Sequence, residues 1–322
     1  MARKPEAEFD RAFANSLARS RERRRRAAVR RSIASRSRRI VPLLARVALA
    51  LAATGLAAAA LTGDALDRVD GREASQLAGE GRSSVSAVAG SSAEGVVPAR
   101  RRVRQAIDYA RRRPGLVSVA VVDSEGSLHG WHAERNYDSA STVKAMLLAA
   151  ELERLQSERL PLDAATRDLL ARMITWSDNE AADVIYARVG DAGLNDLADA
   201  AGMRDFSVAG YWSAAQISAR DMAGFMFRLD HSLEGPHTRF ARGLLADIVK
   251  EQRWGIPDGI SKGWRIHFKG GWRGTELGHL VHQAALLERH GRRIGIAVLT
   301  DGQPTQSEGI ETLRGVAARL AG

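Results

Sequence analysis

Three short segments carry the side chains that could do chemistry in this chain: Ser141-Thr142-Val143-Lys144, Ser177-Asp178-Asn179 and Lys269-Gly270-Gly271. In the first, a lysine amine follows a serine hydroxyl by three residues, which places both on one face within a helical turn. A serine hydroxyl is a weak nucleophile that needs a base, and a buried lysine with a lowered pKa can be that base. The pattern predicts acyl transfer with Ser141 as nucleophile and Lys144 as base.

The other two segments carry groups that could complete such a site. Ser177 could pass a proton, Asp178 could hold the loop and Asn179 could bind a substrate amide. Lys269, at the predicted end of a strand, could attract a substrate carboxylate, and the two glycines after it would let a substrate backbone lie close. Each segment also has a purely structural interpretation, as a helix N-cap or as a strand-end turn.

Other candidate motifs fit their chemistry less well. Ser139 has a threonine, not a lysine, at its third following position, so Ser141 is preferred as the nucleophile. Residues 259–263 match G-x-S-x-G, but no apolar strand precedes them, as a hydrolase elbow requires. His279 and His282 have no clustered third ligand and the chain has no cysteine, so we predict structural or exposed histidines. No metal and no organic cofactor is predicted.

The predicted elements surround these segments in a mixed order. A basic helix over Arg101–Arg113 precedes a buried strand over Leu116–Asp123 and its hairpin partner, Ser127–Ala133. Ser141 then opens a helix over Thr142–Leu155. Further helices are predicted over 164–175, 179–189, 193–201, 218–229 and 237–250, strands over Trp264–Lys269, Leu280–Leu287 and Ile294–Thr300, and a last helix over Ser307–Leu320. This order predicts an α/β (α+β) sandwich, in which an antiparallel sheet packs against the N- and C-terminal helices with an all-helical lobe beside it.

The order S-x-x-K, S-D-N, K-G-G resembles the signature S-x-x-K, S-D-N, K-T-G of class A β-lactamases and penicillin-binding proteins. The resemblance covers about Val96 to Gly322, because the predicted helix and hairpin precede the serine helix, and helices, strands and a last helix follow it. The chain therefore resembles the class A β-lactamase and penicillin-recognising serine hydrolase superfamily, which implies a β-lactamase/transpeptidase-like fold.

The resemblance implies a role for each residue of the motifs. Ser141 would be the acylated nucleophile, Lys144 its base, and Ser177 the relay that brings a proton to the leaving nitrogen. The backbone N–H groups of Ser141 and Trp272 would form the oxyanion hole. The substrate would be bound by three residues, Asn179 at its side-chain amide, Lys269 at its carboxylate and Gly271 along its backbone.

Two departures from the family pattern bear on activity. Gly270 stands where the family has a hydroxyl residue, which implies weaker binding of penicillin-like acids. The loop Arg204–Gln216 is short and contains no glutamate, whereas class A enzymes use a loop glutamate to activate the deacylating water. Asp205 is the only carboxylate in that loop, at a position that does not match the glutamate. The resemblance therefore implies acylation followed by slow deacylation.

Positive charge is concentrated at the front of the chain. Residues 1–40 hold 14 Lys and Arg against 4 Asp and Glu, whereas the other 282 residues hold 34 of each. The high pI thus belongs to a basic tail, which argues against a nucleic-acid-binding domain. An apolar segment, Ile40–Thr62, follows the tail in the order typical of an exported segment. A cleaved signal peptide and an uncleaved membrane anchor both fit it.

Four regions are predicted: a basic cytoplasmic tail (1–39), a signal or membrane-anchor segment (40–62), a flexible linker (63–95) and a β-lactamase-like serine hydrolase domain (96–322). The predicted function is an exported, monomeric serine hydrolase whose substrates are β-lactams or cell-wall D-alanyl peptides. Membrane contact would run through residues 40–62, and no specific nucleic acid is expected. The alternative is a catalytically silent module of the same fold that binds the cell wall or a partner and is tethered to the membrane.

Overall fold

The computed structural model describes residues 100–231, 233 and 235–321. The predicted tail (1–39), signal or anchor segment (40–62) and linker (63–95) lie outside the described residues. Among the helices that are described, none is long and apolar enough to cross a membrane.

Five strands form one antiparallel sheet. They are β1 (Leu116–Val122), β2 (Leu128–Trp131), β5 (Arg265–Thr275), β6 (Gly278–Arg289) and β7 (Arg292–Gln303), in the spatial order β2-β1-β7-β6-β5. Six consecutive residues of β1 and eight of β6 are buried, so both faces of the sheet are covered and these strands do not alternate between buried and exposed residues. Two short strands, β3 (Tyr137–Asp138) and β4 (Gln216–Ile217), pair separately.

Helices cover both faces of the sheet. The first and last helices, α1 (Arg100–Ala110) and α8 (Gln306–Ala321), pack together on one face, where Gly309 of α8 lies against Val281 of β6. Helix α5 (Ala219–Phe227) packs on the opposite face, where the absence of a side chain at Gly295 lets β7 approach the carbonyl of Ala223. The predicted sandwich with flanking N- and C-terminal helices is confirmed.

The helical lobe is built on helix α2. Helix α2 spans Lys144–Ser157, and the lobe also contains α3 (Ala164–Thr175), α4 (Asn179–Ala200) and α6 (Gly235–Ala246). The short α7 (Ile256–Gly259) packs on α8 instead. Ten of the 14 residues of α2 are buried, which explains its almost continuous Ala, Leu and Met sequence. The two helices predicted over 179–189 and 193–201 are one kinked element, since Gly190 interrupts α4 with a φ of 68°.

Two sequence predictions that bear on the site need correction. Ser141 does not open an α-helix: it lies inside a 3₁₀ turn, Ala140–Val143, and α2 begins at Lys144. The strand predicted to end at Lys269 continues to Thr275, so the Lys-Gly-Gly segment lies in the middle of β5 and does not form a strand-end turn. The pairing of β5 with β6 is regular along its whole length, which holds the segment extended past both glycines.

Candidate active site

The turn that carries Ser141 is locally strained. Ala140, directly before it, has a φ of 46°, a left-handed conformation that non-glycine residues adopt at a cost. Ser141 is half-buried and does not cap a helix, because the residues that precede the 3₁₀ turn and α2 are Ser139 and Val143. The N-cap interpretation of Ser141 is therefore wrong, and its hydroxyl remains available to a substrate.

Lys144 places its ammonium group in the centre of the site. The side chain is fully buried at the start of α2. Its Nζ donates to the backbone carbonyl of Ser177 at 2.5 Å and to Oδ1 of Asn179 at 2.7 Å, and it lies 3.3 Å from Oγ of Ser177. The structure thus brings the first two motifs into direct contact, although they are separated by more than thirty positions in the chain.

Burial is the main cause that holds the pKa of Lys144 well below its usual range, and the charge of Lys269 lowers it further. Asp178 and Asp183 act in the opposite direction. A neutral amine retains two N–H donors, enough for the carbonyl of Ser177 and the amide oxygen of Asn179, and it also presents a lone pair. Lys144 therefore has the environment of a lysine that can lose its charge and accept a proton.

The loop that carries Ser177 is held by its neighbours. Ser177 has a φ of 58°, again left-handed for a residue with a side chain. Asp178 caps α4, because its Oδ1 accepts from the backbone N–H groups of Glu180 and Ala181, and its Oδ2 lies 3.3 Å from Arg172 Nη1. Asp178 thus fixes the loop that presents Ser177 and Asn179.

Lys269 meets the same hydroxyl from the side of the sheet. Its Nζ donates to Oγ of Ser177 at 3.1 Å and to the carbonyl of Gly270 at 3.1 Å. The side chain is fully buried, and burial lowers the pKa of Lys269 to about 7. Because Lys144 and Lys269 both contact one hydroxyl, their Nζ atoms lie within roughly 6 Å, a distance at which one ammonium disfavours the other.

Gly271 allows strand β5 to touch the turn of the nucleophile. A Cβ at this position would lie 2.7 Å from the backbone nitrogens of Ser141 and Thr142. Real Cβ atoms do not approach backbone so closely, so only glycine fits here. The next residue, Trp272, packs edge-to-face on Trp254 with ring centroids 5.2 Å apart. The oxyanion hole predicted from the backbone N–H groups of Ser141 and Trp272 stays a prediction, now supported by this close approach.

Two residues that lie beside Lys144, Trp212 and Asp183, belong to none of the three motifs. The ring of Trp212 lies with its centroid 4.8 Å from Nζ of Lys144 and is almost fully buried. Its Nε1 donates to Oδ1 of Asp183 at 2.9 Å, which connects the loop 204–216 to α4. The sequence feature that could have indicated Trp212 is its position in the loop 204–216, which lacks the expected glutamate. Asp205, the only carboxylate of that loop, instead pairs with Arg220 at 2.8 Å.

The competing motifs have structural roles. Ser139 is fully buried and donates to the carbonyl of Trp212 at 3.2 Å, and Ser261 donates to the carbonyl of Ala321 at 2.7 Å. His282 is buried between Asp138 and Thr300, and burial lowers its pKa to about 3. Among the described residues, no group of three or more His, Cys, Asp or Glu side chains could hold a metal ion.

Comparison with known proteins agrees with this fold and arrangement. Residues 161–322, half of the chain, match the model of the beta-lactamase enzyme family, and the chain belongs to that family. The matched segment includes Ser177, Asn179 and Lys269, whereas Ser141 and Lys144 precede it. No curated protein matches the chain in sequence.

Solved structures of similar fold share about a fifth of their residues with this chain. A β-lactamase from Xanthomonas campestris pv. campestris has 18% identity and a TM-score of 0.60, over 70% of this chain and 98% of its own. PBP-A has 20% identity and a TM-score of 0.60, over 68% and 93%. A mutant of PBP-A, in an acyl-enzyme complex with penicillin G, has 20% identity and a TM-score of 0.61, over 69% and 95%. The predicted β-lactamase/transpeptidase-like fold is thereby confirmed.

Proposed function

We propose that this chain is an exported serine hydrolase that forms an acyl-enzyme at Ser141, with β-lactams or cell-wall D-alanyl peptides as substrates. The observation that carries the proposal is the contact of two buried lysines, Lys144 and Lys269, with the hydroxyl of Ser177. Burial and a second cation both favour the neutral amine of a lysine, which can then act as the base that a serine nucleophile requires. The acyl-enzyme of the PBP-A mutant with penicillin G supports this choice of substrate class.

The acylation step would use the residues in the following roles. The neutral amine of Lys144 takes the proton of Ser141 while Oγ attacks the carbonyl carbon of the substrate, and the developing oxyanion is stabilised by the backbone N–H groups of Ser141 and Trp272. The C–N bond of the substrate then breaks. Ser177 gives its hydroxyl proton to the leaving nitrogen and regains one from Lys144, which lies 3.3 Å away.

Substrate binding would use Asn179, Lys269 and Gly271. A protonated Lys269 attracts the substrate carboxylate, and Gly271 leaves the edge of β5 open to a substrate backbone. Asn179 can donate through its amide nitrogen to a substrate carbonyl, since its Oδ1 already accepts from Lys144. A Cβ at Gly270 would lie 3.4 Å from its nearest neighbours, so the missing hydroxyl residue is not imposed by lack of space.

Deacylation is proposed to be slow. The loop 204–216 brings the ring of Trp212 to Lys144, and the only carboxylate of the loop, Asp205, is paired with Arg220. An indole ring has no acceptor for the proton of a water molecule. The acyl-enzyme would therefore persist for longer than in an efficient β-lactamase.

The test is intact-mass spectrometry of the chain during incubation with penicillin G, with Ser141→Ala as the variant and Ser139→Ala as the matched control. We expect a stable adduct of one penicillin mass in the wild-type chain and in Ser139→Ala, and none in Ser141→Ala. Consumption of the drug without a lasting adduct would agree with a short-lived acyl-enzyme and would contradict slow deacylation. Neither adduct nor consumption would reject the β-lactam substrate.

The second candidate is a catalytically silent module that binds the cell wall or a partner. Gly270 and the absence of a loop glutamate favour it, since both depart from the family pattern in this chain. Under this hypothesis Ser141→Ala would leave the biological function intact, whereas under the first hypothesis it would abolish it. Export is common to both candidates, and the hydrolase would be either anchored through residues 40–62 or released after signal cleavage, whereas the silent module would be tethered.

A further inference from the structure

A concave site that includes none of the three motifs lies at the end of the sheet where β5 begins and β6 turns into β7. It is a cavity of about 810 Å³. Arg265, at its rim, precedes Lys269 by four residues on β5, roughly 13 Å along an extended strand. The cavity is lined by five arginines, Arg242, Arg265, Arg289, Arg292 and Arg293, and by the single carboxylate of Glu288 among the described lining residues. It is thus separate from the proposed active site.

The cavity concentrates positive charge in an otherwise almost neutral domain. Its lining carries a formal charge of +4, from five arginines and one glutamate. Residues 100–322 together hold 30 Lys and Arg against 28 Asp and Glu. A concave surface of one sign raises the local concentration of ions of the other sign, so this cavity attracts anions.

The carboxylates near the cavity are already shared between several cations. Asp230 accepts through one oxygen from both Arg242 and Arg293, and Glu288 pairs with Arg242 and with Nε2 of His267. Nε and Nη2 of Arg293 are nevertheless buried without a hydrogen-bond partner among the described residues. Oδ1 of Asp230 is likewise buried without a partner, so this charge cluster beside the cavity has donors and an acceptor unsatisfied, which is costly.

The hairpin turn between β6 and β7 adds to the excess of charge. His290 and Gly291 both have positive φ, 49° and 75°, as in the tight two-residue turns that join strands. The turn places Arg289 directly opposite Arg292 in the β6–β7 register. Like charges opposite each other destabilise a strand pair. A bound anion would relieve this repulsion.

We propose that this cavity binds a phosphoryl group, as a phosphate ester or a diphosphate. Guanidinium groups recognise carboxylates and phosphates through paired N–H donors. A carboxylate has two oxygens in one plane, whereas a phosphoryl group has three or more acceptor oxygens in different directions. Arginines from one helix and three strands converge on the cavity from different sides, which matches the tetrahedral group.

The test is titration calorimetry of the chain with pyrophosphate at constant ionic strength. The variant is the double substitution Arg265→Gln and Arg289→Gln, because both side chains are exposed and neither forms an ion pair with a described residue. The matched control is Arg104→Gln, an exposed arginine on α1. We expect at least tenfold weaker binding in the double variant and less than a twofold change in the control.

Two further titrations identify the source of the phosphoryl group and the specificity of the cavity for it. Phosphatidylglycerol vesicles, compared with phosphatidylcholine vesicles, distinguish a lipid headgroup from a soluble phosphate. Binding of either the vesicles or pyrophosphate supports the site if the double variant loses it. Citrate at the same ionic strength tests for general anion binding. The proposal is overturned if citrate binds as tightly as pyrophosphate, if the double variant binds like the control, or if the wild-type chain binds neither probe.

Discussion

At the scale of single residues, the proposed chemistry depends on two lysines whose pKa values are lowered by burial. Lys144 and Lys269 approach Ser177 from different elements, so each disfavours the charge of the other. Because two such neighbours interact, they titrate together, and the pH dependence of activity gives apparent pKa values that belong to the pair. The roles still differ, because Lys144 must be neutral to accept a proton and Lys269 must be charged to attract a carboxylate.

This difference predicts the pH dependence of acylation. For any substrate, the second-order rate constant of acylation should increase as the pH is raised from the acid side, because Lys144 loses its proton. For penicillin G it should fall again as the pH rises through about 7, where Lys269 loses its charge. One pH unit above that value, the rate constant should be about tenfold lower. Stopped-flow acylation across this range, with penicillin G and an uncharged thioester, measures both limbs.

The uncharged thioester is the control, because it has no carboxylate for Lys269 to attract. It should keep the acid limb and show no fall above pH 7. An equal fall for both substrates would mean that the alkaline limb does not come from carboxylate binding by Lys269.

At the scale of elements, the site exists because an edge strand presses against a 3₁₀ turn. Strand β5 is the last in the sheet order, and the turn Ala140–Val143 packs against it on the side to which a Cβ of Gly271 would point. Gly271 is the point of contact, where a Cβ would lie 2.7 Å from backbone atoms of the turn, whereas a Cβ at Gly270 would have its nearest neighbours at 3.4 Å. An exposed edge is also where an extended substrate can add to a sheet.

The two glycines give a matched pair of variants. Gly271→Ala would force its Cβ against the backbone of Ser141 and Thr142, so we expect destabilisation by about 1–3 kcal/mol and at least a tenfold loss of acylation. Gly270→Ala places its Cβ at an ordinary 3.4 Å from Gln283 and His282 and should stay close to wild type in both. Urea unfolding and the rate of penicillin labelling measure the two effects. Equal behaviour of the two variants would contradict the contact.

At the scale of the whole molecule, a polar residue lies in the middle of the core. His282 on β6 is fully buried, accepts the backbone N–H of Thr300 at Nδ1 and donates through Nε2 to the carbonyl of Asp138. It thereby connects the large sheet to the small pair β3–β4. Its pKa is lowered to about 3, so it is neutral in the folded chain at neutral pH.

His282 should therefore make global stability depend on pH. Its pKa is about 6.5 in the unfolded chain, so between pH 6.5 and 3 the unfolded state binds more protons and stability falls as the pH falls. This contribution amounts to about 3 kcal/mol between pH 7 and pH 4. Urea unfolding at both pH values should show a smaller loss in His282→Gln than in wild type. The exposed His231→Gln is the control, and an unchanged loss in His282→Gln would refute the assignment.

Much of the fold was predictable because its signals are local. Helix α3 has the predicted bounds, and β1 and β7 follow the apolar runs that indicated them. The bounds of β5 were wrong, because Gly270 and Gly271 suggested a turn while pairing with β6 keeps the strand extended. The role of Ser141 as a helix opener was wrong for a similar reason, since contact with β5 favours a 3₁₀ turn there.

The sequence by itself determined the order of elements and the residue types of the three motifs, because periodicity and short motifs are properties of neighbouring residues. Only the tertiary structure decided that Lys144, Ser177 and Lys269 meet at one hydroxyl, across separations of 33 and 92 positions. It also decided that Trp212 faces Lys144 and that five arginines surround one cavity. Such contacts depend on how helices and strands pack, and packing joins residues that have no relation in sequence.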